Sequence, residues 1–129
     1  MEHIRKTVEQ GFARYYVPDL PDAKVVREMW GDRDSAWVMK IKGVVVIDNN
    51  CRTLESIDKR VGHFLSMTNH QIVELAYAAK NQALAREQSG VSRNTSVRKA
   101  SDFADALMKI YRDRVGKHVD GQTVLRGEQ

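Results

Sequence analysis

The strongest structural signal in this chain is a period-two alternation that gives way to a β-branched run. Large apolar side chains alternate with other residues through positions 37–42, the run Val44–Ile47 follows, and the turn residues 48–50 end it. This pattern predicts β structure. It fits one long strand with a bulge at Gly43, or two short strands that turn near residues 42–43. A two-residue turn with a single glycine is the weaker reading, so the long strand is favoured.

A β element of this size constrains the fold, because one or two strands alone are barely stable in water. The strands must pack on helices of the same chain or pair with strands of a second copy. Lys40 and Lys42 would then lie on one face, where lysines commonly protect a sheet edge from further pairing. We therefore expect either a monomer or a homodimer.

The residues before this β element predict two helices. Apolar side chains recur at four-residue spacing through residues 2–14 and indicate a short amphipathic helix. The chain must leave that helix before Pro18, since residues that precede proline avoid helical geometry. A second helix is expected to begin near Pro21, because proline fits the first turn of a helix, and to end at Gly31.

Three further helices are predicted after the β element. Thr53 is a candidate N-cap for the first of them. Thr68 and Gln71 match the capping-box pattern, in which each side chain accepts a backbone hydrogen bond at the start of a helix. The last helix is expected at about 101–115, with Gly116 as its stop.

These elements predict an α+β fold: a single small domain over residues 1–129, with about five helices packed with one short β-strand or hairpin. A length of 129 residues and a hydrophobic content of 42% are typical of one globular domain. The polar residues 117–129 are expected to form a flexible tail.

The chain carries no signal for a membrane or for secretion. It contains no apolar run near the roughly 18–20 residues that cross a bilayer, and its start has no signal-peptide pattern. Cys51 is the single cysteine, which excludes an internal disulfide and fits a reducing compartment. A cytoplasmic protein is expected.

The positive charge is concentrated in the C-terminal part. Residues 1–79 hold 11 Lys and Arg against 11 Asp and Glu, whereas residues 80–129 hold 10 against 6. The segment 89–99 contains three cations, no acid and several hydroxyl or amide side chains, all of which contact phosphates in nucleic-acid complexes. We therefore expect nucleic-acid binding, through Arg93, Arg98, Lys99, Lys109 and Arg112.

An alternative is a protein–protein inhibitor or adaptor that acts on a host enzyme such as a nuclease, a polymerase or a defence complex. Aromatic side chains dominate the binding energy of many interfaces. The candidate contact residues are Tyr15, Tyr16, Trp30 and Trp37. Under either hypothesis the protein is not an enzyme.

The residues give little support for catalysis. The four histidines lack zinc-site spacing, and the common nucleophile and nucleotide-binding motifs are absent, so no catalytic residue, metal or cofactor is predicted. Asp32, Asp34, Asp48 and Glu55 flank the β element and could hold Mg²⁺ for phosphodiester cleavage. A metal-dependent nuclease is a lesser alternative, because turns and helix caps also explain these acids.

Two short segments resemble a pattern found in small phage-encoded proteins. The first is Thr68-Asn69-x-x-Ile72-Val73-x-Leu75, and the second is Val97-Arg98-Lys99-x-Ser101-Asp102 followed by Ala106. The resemblance spans residues 68–110, with a longer gap between the two parts and with Ala100 in place of an aromatic residue. It implies a phage or mobile-element origin and a binding or regulatory role, and it carries no catalytic residue.

Overall fold

The computed structural model describes residues 1–30, 34–88 and 95–116. Five strands precede three helices: β1 (Arg5–Glu9), β2 (Phe12–Val17), β3 (Leu20–Trp30), β4 (Asp34–Ile41), β5 (Val44–Cys51), α1 (Leu54–Leu65), α2 (Asn69–Gln88) and α3 (Thr95–Val115). The chain forms two compact units, Met1–Ser66 and Met67–Gln129. The single domain over residues 1–129 stays a prediction, and the predicted tail 117–129 lies outside the described residues.

The prediction of about five helices around one short β element is wrong. Residues 2–14 and the segment from Pro21 form strands, and the sheet is an antiparallel meander in the order β1-β2-β3-β4-β5. The four-residue spacing from Ile4 to Val8 fits a strand as well as a helix, because four is a multiple of the strand period of two, and Phe12 belongs to the next strand. The pair Gln10-Gly11 decides between them, since both residues have positive φ (52° and 82°) and close a tight hairpin.

The two-strand alternative for residues 37–47 is correct, and the single long strand is wrong. Lys42 and Gly43 have φ values of 50° and 83°, which are those of a type I′ turn between β4 and β5. Lys42 therefore adopts the left-handed conformation that glycine usually supplies. Favourable pairing of the β-branched strands on either side compensates for this less suitable turn residue.

We expect Lys42→Asn to stabilise the protein, because asparagine tolerates the left-handed conformation better than lysine. The free energy of unfolding, measured with urea, should rise by about 0.5–1 kcal/mol. Gly43→Ala, in the same turn, should lower it by a similar amount or more. Equal destabilisation by both substitutions would contradict this account of the turn.

The β1–β2 hairpin is attached to the rest of the sheet over a short length. β2 pairs with β3 from Tyr15 to Val17, with a register shift between residues 16 and 17. The part of the hairpin from Thr7 to Arg14 pairs within itself in the described structure. Its tip is therefore a two-stranded ribbon with most side chains exposed.

Strands β3 and β4 contribute a cluster of buried side chains to the core of the first unit. Strand register places Ala23 and Val25 of β3 opposite Ile41 and Met39 of β4, and all four side chains are buried. Helix α1 packs on β4 and β5 and buries its own apolar face, formed by Ile57, Val61 and Phe64. The predicted N-cap is confirmed, because the Thr53 hydroxyl accepts a hydrogen bond from the Ser56 N–H at 3.1 Å.

Asp58 on α1 holds the start of the chain. Its side chain is buried, with the residue 7% exposed. Its carboxylate oxygens accept hydrogen bonds from the backbone N–H groups of Glu2 at 3.2 Å and of His3 and Ile4 at 2.9 Å. Burial raises the pKa of Asp58, but these three donors and the His3 ring outweigh burial and lower the pKa below its usual value.

We expect Asp58→Asn to destabilise the first unit by roughly 1–3 kcal/mol at pH 7, because the variant keeps one acceptor oxygen and loses the charge. The folded pKa is depressed, so this stabilisation is complete above the unfolded pKa of about 4 and is lost as pH falls through the folded value. Urea unfolding at several pH values should show a flatter acid dependence in the variant. Asp48→Asn, at an exposed position of β5, serves as the control.

The second unit is a helical pair. Helix α2 begins with the predicted capping box: the Thr68 hydroxyl accepts from the Gln71 N–H at 3.1 Å, and the Gln71 side chain accepts from the Thr68 N–H at 2.9 Å. Helix α2 packs against α3, and its buried residues include the small side chains of Ala76 and Ala79. Helix α3 starts earlier than the predicted residue 101. It ends as predicted before Gly116, whose φ is 88°.

None of the helices in the described ranges is both long and apolar enough to cross a membrane.

Candidate nucleic-acid interface

Four of the five predicted cations lie in α3: Arg98, Lys99, Lys109 and Arg112. One side of this helix is buried and carries Val97, Ala104, Leu107 and Tyr111. These residues recur at spacings of three, four and seven, which is the period of one helix face. Packing of that apolar face therefore turns the intervening charged residues toward solvent.

Arg98 and Lys99 are in the first turns of α3 and are exposed. Neither forms an ion pair within the described residues, and the first turn of α3 contains no acid. The positive end of a helix dipole disfavours cations, so these two side chains stand where local electrostatics does not favour them.

Farther along α3, cations and acids share the same side of the helix. Arg98, Asp102, Asp105, Lys109 and Arg112 recur at spacings of four and three and so share one side of the helix. The Lys109 ammonium is 3.0 Å from an Asp113 carboxylate oxygen. Lys109 is thus engaged within the chain, whereas Arg112 is exposed and forms no ion pair in the described part.

Lys80 of α2 neutralises a further acid of this surface. Its ammonium is 3.2 Å from an Asp105 carboxylate oxygen and 3.0 Å from the Ser101 hydroxyl. We define the α3 surface as Lys80, Arg98, Lys99, Asp102, Asp105, Lys109, Arg112 and Asp113. Five cations and three acids give it a net charge of +2.

Of the five predicted nucleic-acid residues, three are exposed and unpaired within the described ranges: Arg98, Lys99 and Arg112. Lys109 belongs to the same surface but is half-buried and ion-paired. Arg93 lies outside the described residues. The structure therefore brings together four of the five on one helix, with the unpaired cations at its two ends.

Sequence reasoning missed a row of charged residues across the sheet. Strand register places Arg5 opposite Tyr16, Tyr16 opposite Lys24, and Lys24 opposite Lys40. Lys40 is neutralised by Glu28, with 2.7 Å between the charged atoms. The row was not predictable once residues 2–14 and the segment after Pro21 had been interpreted as helices.

The four predicted aromatic contact residues do not form one cluster. The rings of Tyr15 and Trp37 meet edge to face, with centroids 5.3 Å apart, and both side chains are half-buried. Tyr16 follows Tyr15 in β2 and therefore points to the opposite face of the sheet. Trp30 ends β3, and its side chain is outside the described part.

The structure describes three of the four acids considered for a metal site. Asp34 forms an ion pair with Arg52 at 3.3 Å, Asp48 is exposed on β5, and Glu55 is in the first turn of α1. Asp32 lies outside the described residues. Within the described ranges, no group of three or more His, Cys, Asp or Glu side chains could hold a metal ion.

Comparison of the chain with protein-family models, with curated proteins and with solved structures gave no match. The resemblance to phage-encoded proteins over residues 68–110 therefore stays a prediction. In the structure its first part begins at the capping box of α2, and its second part begins at Val97 in α3.

Proposed function

We propose that this chain is a small non-enzymatic binding protein that contacts nucleic acid through the α3 surface. The observation that carries the proposal is the exposed pair Arg98 and Lys99, which has no acid partner in the described residues and lies at the positive end of a helix. The neighbouring segment 89–94 adds Arg93 and no acid to the sequence on that side. Phosphate groups match this combination of charge and hydrogen-bond donors.

The expected contact is with the phosphate backbone rather than with base edges. Arg98 and Arg112 are 14 residues apart on the same side of α3, which corresponds to about 21 Å along the helix axis. Two separated cationic ends of this kind can contact phosphates of one duplex without reading its sequence. Binding of modest sequence preference is therefore proposed.

We also propose a phage or mobile-element origin and a cytoplasmic location, which is the host cytoplasm for a phage-encoded protein. The resemblance over residues 68–110 supports the origin. The single cysteine, Cys51, is buried in the core of the first unit, and a reducing compartment agrees with that use of cysteine. Identification of the genomic context tests the first statement.

The double variant Arg98→Ala with Lys99→Ala should weaken binding to a generic DNA duplex. Each phosphate contact that is lost should reduce the slope of log affinity against log salt by about 1. Titrations by fluorescence anisotropy at several salt concentrations measure this slope. We expect a reduction of about 2 for the double variant, if each residue contacts one phosphate.

The matched control is Lys59→Ala with Arg60→Ala. It also removes two adjacent, exposed cations from a helix, here α1, and so produces the same change in net charge. Its salt slope should equal that of the unmodified chain. Equal losses from the two double variants, or an affinity that does not depend on salt, would contradict the proposed interface.

A second candidate function is a protein–protein inhibitor or adaptor of a host enzyme. Strand alternation places Val8 and Met29 on the same sheet face as the Tyr15–Trp37 pair, and they are 65% and 58% exposed. Large apolar side chains exposed around an aromatic pair are typical of a protein contact surface. This observation favours the Tyr15 and Trp37 part of the predicted contact set.

If the sheet face binds a host enzyme, Met29→Lys should abolish recovery of that enzyme with the tagged protein, measured by quantitative mass spectrometry. Leu84→Lys is the control, because Leu84 is also an exposed apolar residue, 53% exposed on α2. The Arg98→Ala, Lys99→Ala variant should retain the enzyme. Loss of the enzyme in that variant would assign recovery to nucleic acid instead.

A further inference from the structure

Strand β1 is at one edge of the sheet, with β2 on its other side. The β1–β2 register pairs Glu9 with Phe12 across the two-residue turn. Residues that flank such a turn exchange both of their backbone hydrogen bonds, and the hydrogen-bonded pairs then recur at every second residue. Arg5, Thr7 and Glu9 therefore direct their backbone groups toward β2.

The alternate residues of β1 direct their backbone N–H and C=O groups outward. At Ile4 the outward N–H is already bound by the Asp58 carboxylate. At Lys6 and Val8 no strand of the described residues pairs on that side. The outward N–H group at Ile4 is therefore occupied, whereas the outward backbone groups of Lys6 and Val8 have no strand partner in the described residues.

We propose that a second copy of this chain binds at this edge through antiparallel pairing of the two β1 strands, with the two-fold axis at Thr7. In this register Lys6 lies opposite Val8 of the second copy and Val8 lies opposite its Lys6, which gives four backbone hydrogen bonds. Arg5 lies opposite Glu9 of the second copy, and Glu9 lies opposite its Arg5. The proposal does not depend on nucleic-acid binding.

Charge complementarity selects this register. Opposite charges that face each other across two strands are stabilising, and so are threonine pairs, whereas like charges that face each other are destabilising. A two-residue slip in one direction would place Lys6 opposite Lys6. A slip in the other direction would replace the contact of Glu9 with Arg5 by a contact with Thr7.

The surrounding side chains also favour a second copy as the occupant. Val8 is 65% exposed and Phe12, beside Glu9, is 69% exposed. In the proposed register, four side chains form one row across a single sheet face: Phe12 and Glu9 of one copy, then Arg5 and Tyr16 of the second copy.

Two sets of intrachain contacts oppose this rearrangement. The Arg14–Glu9 pair, at 3.5 Å, is exposed and therefore weak. The Arg5 guanidinium donates hydrogen bonds to the backbone carbonyls of Met1, Glu2 and Ile4 at 3.1–3.2 Å, and Arg5 must exchange some of them for the Glu9 carboxylate of the second copy.

Single cysteine substitutions test the register. The axis residue would form a non-hydrogen-bonded pair with its own copy, with Cα atoms about 4.5 Å apart, which a disulfide can span. Thr7→Cys should therefore give a covalent dimer under mild oxidation, seen on a non-reducing gel. Lys6→Cys and Val8→Cys should not, because their own copies would be about 8 Å apart.

The unmodified chain is the matched control, because its single cysteine, Cys51, is buried. Cross-linking at Thr7 alone supports the proposed register. Equal cross-linking of all three variants, or of Lys6→Cys or Val8→Cys in preference to Thr7→Cys, overturns it. A chain that sediments as a monomer at every concentration overturns the proposal itself.

Charge reversal provides a second, non-covalent test. Arg5→Glu and Glu9→Arg should each weaken self-association in analytical ultracentrifugation by about tenfold, because each makes two cross-strand contacts repulsive, whereas the double variant should recover it. An equimolar mixture of the two single variants should form a heterodimer, because both contacts between positions 5 and 9 then join opposite charges. Lys24→Glu, a charge reversal on the inner strand β3, should leave self-association unchanged. Absence of recovery in the double variant counts against the proposal.

Discussion

The hydrogen bonds that the Asp58 carboxylate accepts are the constraint on which the first unit depends. Three consecutive backbone N–H groups at residues 2–4 converge on one buried acid of α1. Backbone donors at the start of an edge strand would otherwise need water or another strand. By satisfying them, α1 fixes the position at which β1 begins. The same acid defines how much of β1 remains unpaired.

The parts of the fold that depend on local chemistry were predictable from the sequence. The Thr53 N-cap, the Thr68 capping box and the Gly116 stop each involve residues within a few positions of one another, and each occurs where it was expected. The strands before residue 31 were not predicted. Their side chains follow no clean alternation, because both faces of the β1–β2 ribbon are exposed and hydrophobic burial imposes no pattern there.

The turn at residues 42–43 was also not favoured by the sequence, because the local residues are only part of what stabilises it. A turn with a single glycine predicts a weak hairpin, but Lys42 occupies the first left-handed position and the pairing of the strands outweighs the local cost. Local preference is a weak guide when tertiary contacts are strong. The prediction of one long strand was therefore wrong, because the pairing between β4 and β5 involves residues far outside the turn itself.

Exposure of the cations on α3 could be anticipated from helix periodicity, but their electrostatic state could not. Lys80 lies 25 residues before Asp105 in the sequence, and the packing of α2 on α3 brings the two charges together. This contact changes which cations are available. Arg98, Lys99 and Arg112 keep their charge uncompensated in the described part, and Lys109 does not. The packing of α2 on α3 therefore determines which of the basic residues remain without an ion pair in the described part.

The short attachment of the first hairpin to β3 has a consequence for how the protein responds to its own concentration. With pairing limited to residues 15–17, the ribbon tip gains little from the remainder of the sheet and should open at a lower free-energy cost than the core. A second copy bound at β1 would stabilise this ribbon against opening. Mass action would then couple folding to assembly, and resistance to denaturation would increase as the protein becomes more concentrated.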